Sequence, residues 1–167
     1  KNNFYFIKKI VKKINSRKLK NKKLYSSEVT KYTAEIAKIR KIRKMLKSYQ
    51  TKFAKKKHAI LEGRDMGILF PNADIKFFFK CSLQVAAKRR FKELKKPGSK
   101  ITLKKVQNAI KIRNHIDSTR KFSPLRIPSG AVIVDTTKLN KKQMFRRVYK
   151  IVDEKLLKKY GKNFRKK

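Results

Sequence analysis

Two short apolar runs constrain this chain more than any other feature: Ile75 to Lys80 (IKFFFK) and Ala131 to Asp135 (AVIVD). Turn-forming residues stand ahead of each, Pro71-Asn72 before the first and Pro128 and Gly130 before the second. Both read as strands, and the near-continuous apolar run of the first suits a sheet covered on both faces. A third candidate strand, His58-Ala59-Ile60-Leu61-Glu62, runs into the glycine-bracketed turn Gly63 to Gly67.

The stretches between have helical spacing. Residues 1–25 are lysine-rich with apolar positions Phe4, Ile7, Ile10, Val11 and Ile14, a helical pattern, although Phe4 to Ile7 also fits a strand. Lys18 to Lys23 reads as a basic loop. Ser26 or Ser27 is a candidate N-cap, with Glu28 in the first turn. Val29, Thr33, Ile36, Ile39, Ile42, Leu46, Tyr49 and Phe53 then recur as one stripe, which predicts a single helix ending at Lys55-Lys56-Lys57. Ser82 to Lys95 and Thr102 to about Asp117 follow as helices, the first stopped by Pro97-Gly98. A closing helix spans about Lys141 to Tyr160, with Phe145, Val148, Ile151, Val152 and Leu156 inward and Gly161 ending it. Short apolar strands alternating with helices imply an α/β fold with a parallel sheet. The expected organisation is a basic segment over 1–25, one domain over 26–160 and a basic tail over 161–167. Three strands are few for a free-standing sheet.

Charge bears on partners. The chain carries 51 Lys+Arg against 10 Asp+Glu, a net +41 over 167 residues, where a small soluble domain carries a magnitude of about 2–8. Such a surface attracts polyanions, and phosphate backbones are the commonest. An AT-rich gene would enrich lysine, but it would not remove the acids. Lys18, Lys20, Lys22, Lys23, Lys55, Lys56, Lys57, Lys95, Lys96, Lys104, Lys105, Lys166 and Lys167 are the candidate RNA contacts. They are scattered along the chain rather than gathered into one stripe, which suggests burial in a large RNA assembly. Cys81 alone cannot form an internal disulfide and is expected to be a buried thiol; with His58 and His115 the only histidines, no metal-ligand spacing exists. No metal, cofactor or membrane partner is expected.

Several motifs resemble one family, the bacterial-type cytidylate kinases. Glu62-Gly63-Arg64-Asp65-Met66-Gly67 is similar to its (D/E)GRDMG segment, and Phe70-Pro71-Asn72-Ala73 to its FPDA turn. Ala86 to Phe91 resembles its RA-RR helix, and Arg113, Asp117 and Arg120 with Ser123-Pro124-Leu125 resemble its R…D…R…(A/S)PL stretch. Val134 to Thr137 resembles LDST, while Tyr25 to Val29 and Ile42 to Leu46 resemble IRTxEV and VR--L. The resemblance covers about residues 20–160. It implies transfer of the ATP γ-phosphoryl group to CMP or dCMP, chemistry that is nearly all positioning and charge neutralisation. It further implies that Arg43, Arg113 and Arg120 hold phosphates, that Asp65 and Asp117 touch cytosine or orient those arginines, and that Arg64 sits beside them.

The chain departs from the family in three places. None of its five glycines has the G-x-x-x-x-G-K-[ST] spacing that cradles ATP phosphates. Ala34 stands where the family has a small hydroxyl residue, and Arg40 where it has proline. The fold expected is therefore a partial P-loop nucleoside-monophosphate-kinase-like α/β fold, a short parallel sheet flanked by helices with the first strand and P-loop missing. The function expected is that of a pseudoenzyme, a structural RNA-binding subunit of a ribonucleoprotein such as a mitochondrial or other organellar ribosome. In that reading the nucleotide-binding residues Arg43, Arg64, Asp65, Arg113, Asp117 and Arg120 are vestigial, and the partners are rRNA and neighbouring proteins. The alternative is an active cytidylate kinase, cytoplasmic, whose P-loop lies upstream or on another chain.

Overall fold

A computed structural model describes residues 2–13, 21, 24, 26–55, 59–95 and 100–161. Its elements are α1 (Asn2–Lys12), α2 (Ser27–Ile36), α3 (Arg40–Ala54), α4 (Met66–Leu69), β1 (Phe77–Lys80), α5 (Leu83–Leu94), α6 (Leu103–Thr119), β2 (Val132–Asp135) and α7 (Lys141–Tyr160). It is an α/β fold with a two-stranded parallel sheet flanked by helices. The pairing runs in register from Phe77 with Val132 to Lys80 with Asp135. Val132 N donates to Lys76 O and Thr136 N to Lys80 O, each at 2.8 Å, which carries the ladder one step beyond each end.

Three helices start where a short polar side chain replaces the missing intrahelical partner. Ser26, Ser82 and Thr102 accept from Val29 N, Val85 N and Lys105 N at 3.2, 3.4 and 3.2 Å. At α7 the cap is reciprocal: Asn140 Oδ1 accepts from Gln143 N and Gln143 Oε1 from Asn140 N, both at 2.9 Å. Gly161 closes α7 at φ +68, a left-handed conformation suited to glycine.

α5 packs on α6, α1 on α3 and α2 on α6. Among the described residues the buried hydrophobic side chains are Ile42, Ala87, Val106 and Val134, and Pro128 is buried as well. Hydrogen bonds from Arg89 and Ser82 tie α5 to the end of the sheet. Arg89 Nη2 donates to Thr136 O and Leu139 O at 2.8 Å, and Ser82 N donates to Thr137 Oγ1 at 3.0 Å. The basic and hydroxyl residues of two family-like motifs thus close the carboxyl end of the strands.

The fold corrects several expectations. The stripe from Val29 to Phe53 is two helices, not one. Ile39 takes an extended conformation (φ −78, ψ 106) between them, and α2 closes on tighter bonds, Lys38 N to Glu35 O and Ile39 N to Ile36 O. Neither Pro nor Gly marks this break, and the apolar spacing runs straight across it. Within that stripe Ile42 is buried, while Val29, Ile36, Ile39 and Phe53 are exposed. Residues 59–62 form no strand, and Ile60 is 90% exposed; a strand exists only where another pairs with it, and among the described residues none does. His58 lies outside the described residues. The sheet is not covered on both faces, since Phe79 and Ile133 are exposed. Phe145 is exposed rather than inward, and Cys81 is half-buried, its Sγ 3.6 Å from Arg89 Nη1. Phe4 to Ile7 is helical.

Candidate functional site

The turn before α4 puts Arg64 and Asp65 side by side. The Asp65 carbonyl accepts from Ile68 N and Leu69 N at 3.0 Å, and its side chain makes no cap. Its carboxylate is left to face α3 and the segment after α6. There Arg43, from the first turn of α3, pairs with Asp65 Oδ2. α6 presents Arg113 and Asp117 one turn apart, and Arg120 follows at its extended C-cap. Arg120 Nη1 bonds Asp117 Oδ1 at 2.7 Å, and its Nη2 lies 3.5 Å from Asp65 Oδ2. Arg64 Nη1 donates to Asp117 Oδ2 at 2.6 Å, and Arg113 Nε stands 3.8 Å from the same oxygen. The six residues that the family resemblance singles out form one connected cluster, although they come from four separate stretches of chain.

Both carboxylates are buried, at 8% exposure for Asp65 and 3% for Asp117. Four guanidinium groups surround them, so the cluster holds an excess of positive charge in a partly desolvated place. Burial is the main force holding the Arg64 and Arg120 guanidinium groups below their ordinary pKa. Neighbouring cations act in the same direction, Arg113 and Arg120 on Arg64, and Arg43 and Arg113 on Arg120, while the carboxylates oppose them. Arginine does not surrender its proton on this scale, so the excess charge makes the cluster attractive to an anion. Arg113 Nε and Arg120 Nη2 are also buried with no hydrogen-bond acceptor, an uncommon state for buried donors. Unsatisfied guanidinium donors in a cationic cluster suit the oxygens of a phosphate.

A cleft of about 250 Å³ opens beside the cluster, lined in part by Arg40, Arg43, Lys44, Lys47, Asp65 and Phe122. A second, more open groove of about 480 Å³ runs along α3 from Lys44 to Lys55 and shares Lys44 and Lys47 with the first. No motif points to Asn114, whose Oδ1 accepts from Arg64 Nη2. Ser123, marked by the (A/S)PL resemblance, adds a backbone contact that no motif indicates: its carbonyl accepts from Arg120 Nε at 2.7 Å. The Ala34 side chain lies outside the described residues. Gly67 is a close approach, because a Cβ there would fall 2.5 Å from Pro128 Cγ. Gly67→Ala is expected to force α4 away from the buried Pro128 ring and to cost about 1–3 kcal/mol, read as a lower midpoint in urea unfolding.

Of the lysines predicted to bind RNA, Lys55 follows α3, Lys95 follows α5, and Lys104 and Lys105 lie in the first turn of α6. Lys95 Nζ sits over the Phe91 ring at 5.5 Å. Lys18, Lys20, Lys22, Lys23, Lys56, Lys57, Lys96, Lys166 and Lys167 lie outside the described residues.

The family model described as cytidylate kinase matches residues 1–154. The chain belongs to the cytidylate kinase family. It is 42% identical over 104 residues to a cytidylate kinase of Caldanaerobacter subterraneus subsp. tengcongensis, covering 62% of this chain and 46% of that protein. The cytidylate kinase of Thermosipho melanesiensis is 35% identical over 143 residues, covering 85% of this chain and 65% of that protein. That of Caldicellulosiruptor bescii is 35% identical over 135 residues, covering 78% and 60%. The chain thus spans about half to two thirds of the length of these curated relatives.

These matches overturn the reading of the chain as a ribosomal or other ribonucleoprotein subunit, with rRNA as partner, and the reading of it as a pseudoenzyme. Nothing marks it as a degenerate RNA-binding relative of the family. The physical reason is that net charge measures how strongly a surface draws polyanions; it carries no information about fold or chemistry.

Proposed function

We propose that this chain carries the acceptor side of a cytidylate kinase, the part that binds CMP or dCMP for phosphorylation to the diphosphate. The observation that supports this most is the cluster itself: four arginines around two buried aspartates, with Arg113 Nε and Arg120 Nη2 lacking acceptors. The acceptor phosphate supplies those oxygens and offsets the surplus charge. Asp117, saturated by arginines, orients them. Asp65 also lines the cleft, where its carboxylate can accept from the exocyclic amino group of cytosine, a pairing that carboxylates make well. Phosphoryl transfer asks a protein mainly for positioning and charge neutralisation, and these residues provide both on the acceptor side.

The residues of the chain do not fit the donor. No glycine here has the spacing of a triphosphate-cradling loop, so no step is assigned to ATP or its Mg²⁺ through this sequence. The reading places the donor on residues upstream or on another chain. The test is CDP formation from ATP and CMP by a preparation containing this chain together with a P-loop. CDP is expected, and Arg113→Ala is expected to slow its formation by at least about tenfold through loss of a charged contact. A preparation that contains the P-loop and forms no CDP would refute the proposal.

A further inference from the structure

The first residue of α3 is an arginine. Ile39, at the cap, makes no side-chain bond, and a cation at a helix N-terminus is disfavoured by the helix dipole. The charge of Arg40 therefore does not favour the helix it begins. Its guanidinium carbon lies 4.7 Å from the centroid of the Phe122 ring, a cation–π stack. Both side chains line the cleft with Arg43 and Asp65. Phe122 is followed directly by Ser123, held at φ +46, a left-handed conformation uncommon for a residue with a side chain. It is the Ser123 carbonyl that accepts from Arg120 Nε at 2.7 Å, and Arg120 in turn reaches both buried carboxylates.

We propose that Arg40 is a positioning residue for the acceptor phosphate: by stacking on Phe122 it holds the 121–125 turn against α3 and so aims Arg120 into the cluster. The two segments that deliver Arg43 and Arg120 come from distant parts of the chain, and the Arg40–Phe122 stack ties them together beside the cleft. The inference rests on the reading of the cluster as a CMP site.

The 167-residue chain is titrated with CMP and, separately, with cytidine, which lacks the phosphate. Arg40→Ala is expected to weaken CMP about threefold, the worth of one exposed cation–π contact, and to leave cytidine unchanged. Arg40→Lys, which keeps a cation over the ring, is expected to recover most of that loss. Phe122→Leu is expected to match Arg40→Ala, and the double variant to be no worse than either alone. A merely structural role would lower both ligands in proportion, and that outcome would overturn the proposal. So would an Arg40→Ala chain that binds CMP like the wild type, or losses at Arg40 and Phe122 that simply add. If the wild-type chain binds no CMP, the reading of the site itself fails, and this inference with it.

Discussion

Replacing Asp117 with asparagine lowers stability by about 3 kcal/mol, near the lower end of what removal of one partner from a buried ion pair costs. The substitution preserves shape and removes one negative charge at a side chain that is 4% exposed. Three arginines depend on that charge. Arg64 and Arg113, at 31% and 36% exposure, can turn toward water, which limits their share of the cost. Arg120 is 6% exposed and fixed at Nε by the Ser123 carbonyl, so it remains buried with less compensation. Among the described residues the buried hydrophobic core is small, and a loss of this size is a large fraction of the stability of an ordinary domain. Urea unfolding followed by circular dichroism reads the effect. A phosphate or CMP additive is expected to restore part of the loss, because a ligand bound only by the folded chain stabilises it by mass action. An unchanged midpoint would mean that the cluster is not held by its carboxylates.

Arg43→Ala is expected to act mainly on ligand binding. Arg43 is 16% exposed and lines the cleft, pairs with Asp65 and donates weakly to the Ala37 carbonyl at 3.5 Å. Asp65 keeps Arg120 at 3.5 Å, so the fold loses less here than at Asp117. The ligand loses a guanidinium contact in a desolvated place, and CMP affinity is expected to fall on the order of 100-fold. Calorimetric titration distinguishes this from unfolding. A variant that binds CMP within a factor of about two of the wild type would place the phosphate elsewhere.

The parts of this molecule that were legible in its sequence are those fixed by neighbours along the chain. The Thr102 cap and the Gly161 stop sit within a few residues of the helices they bound, so α6 and α7 were readable, as was the start of α2 near Ser26. The two runs that became β1 and β2 announced themselves by composition. The reciprocal cap of Asn140 and Gln143 was equally local and could have been read. Non-local facts were not legible. Residues 59–62 have the composition of a strand, but no periodicity states whether another strand lies alongside. The break at Ile39 hides because the spacing Ile36, Ile39, Ile42 satisfies helical periodicity on both sides of it.

The cluster was legible in a different sense. Its six residues were named from motif resemblance, and the structure joins them through the contacts of Asp65 and Asp117. Their arrangement was beyond the sequence, because it depends on the α4 turn, α3 and the end of α6 meeting at one point. The stack of Arg40 on Phe122 belongs to the same class. The charge of +41 was the most visible feature and the most misleading, since it drew the reading toward RNA while four arginines and two aspartates held the chemical information.

The central claim is that this cluster recognises a phosphate attached to cytidine. Calorimetric titration of the 167-residue chain with CMP and with cytidine tests it most directly. CMP is expected to bind more than about tenfold tighter than cytidine, the difference expected of charged hydrogen bonds to one phosphate. Equal affinity for the two, or no binding of CMP, would contradict it.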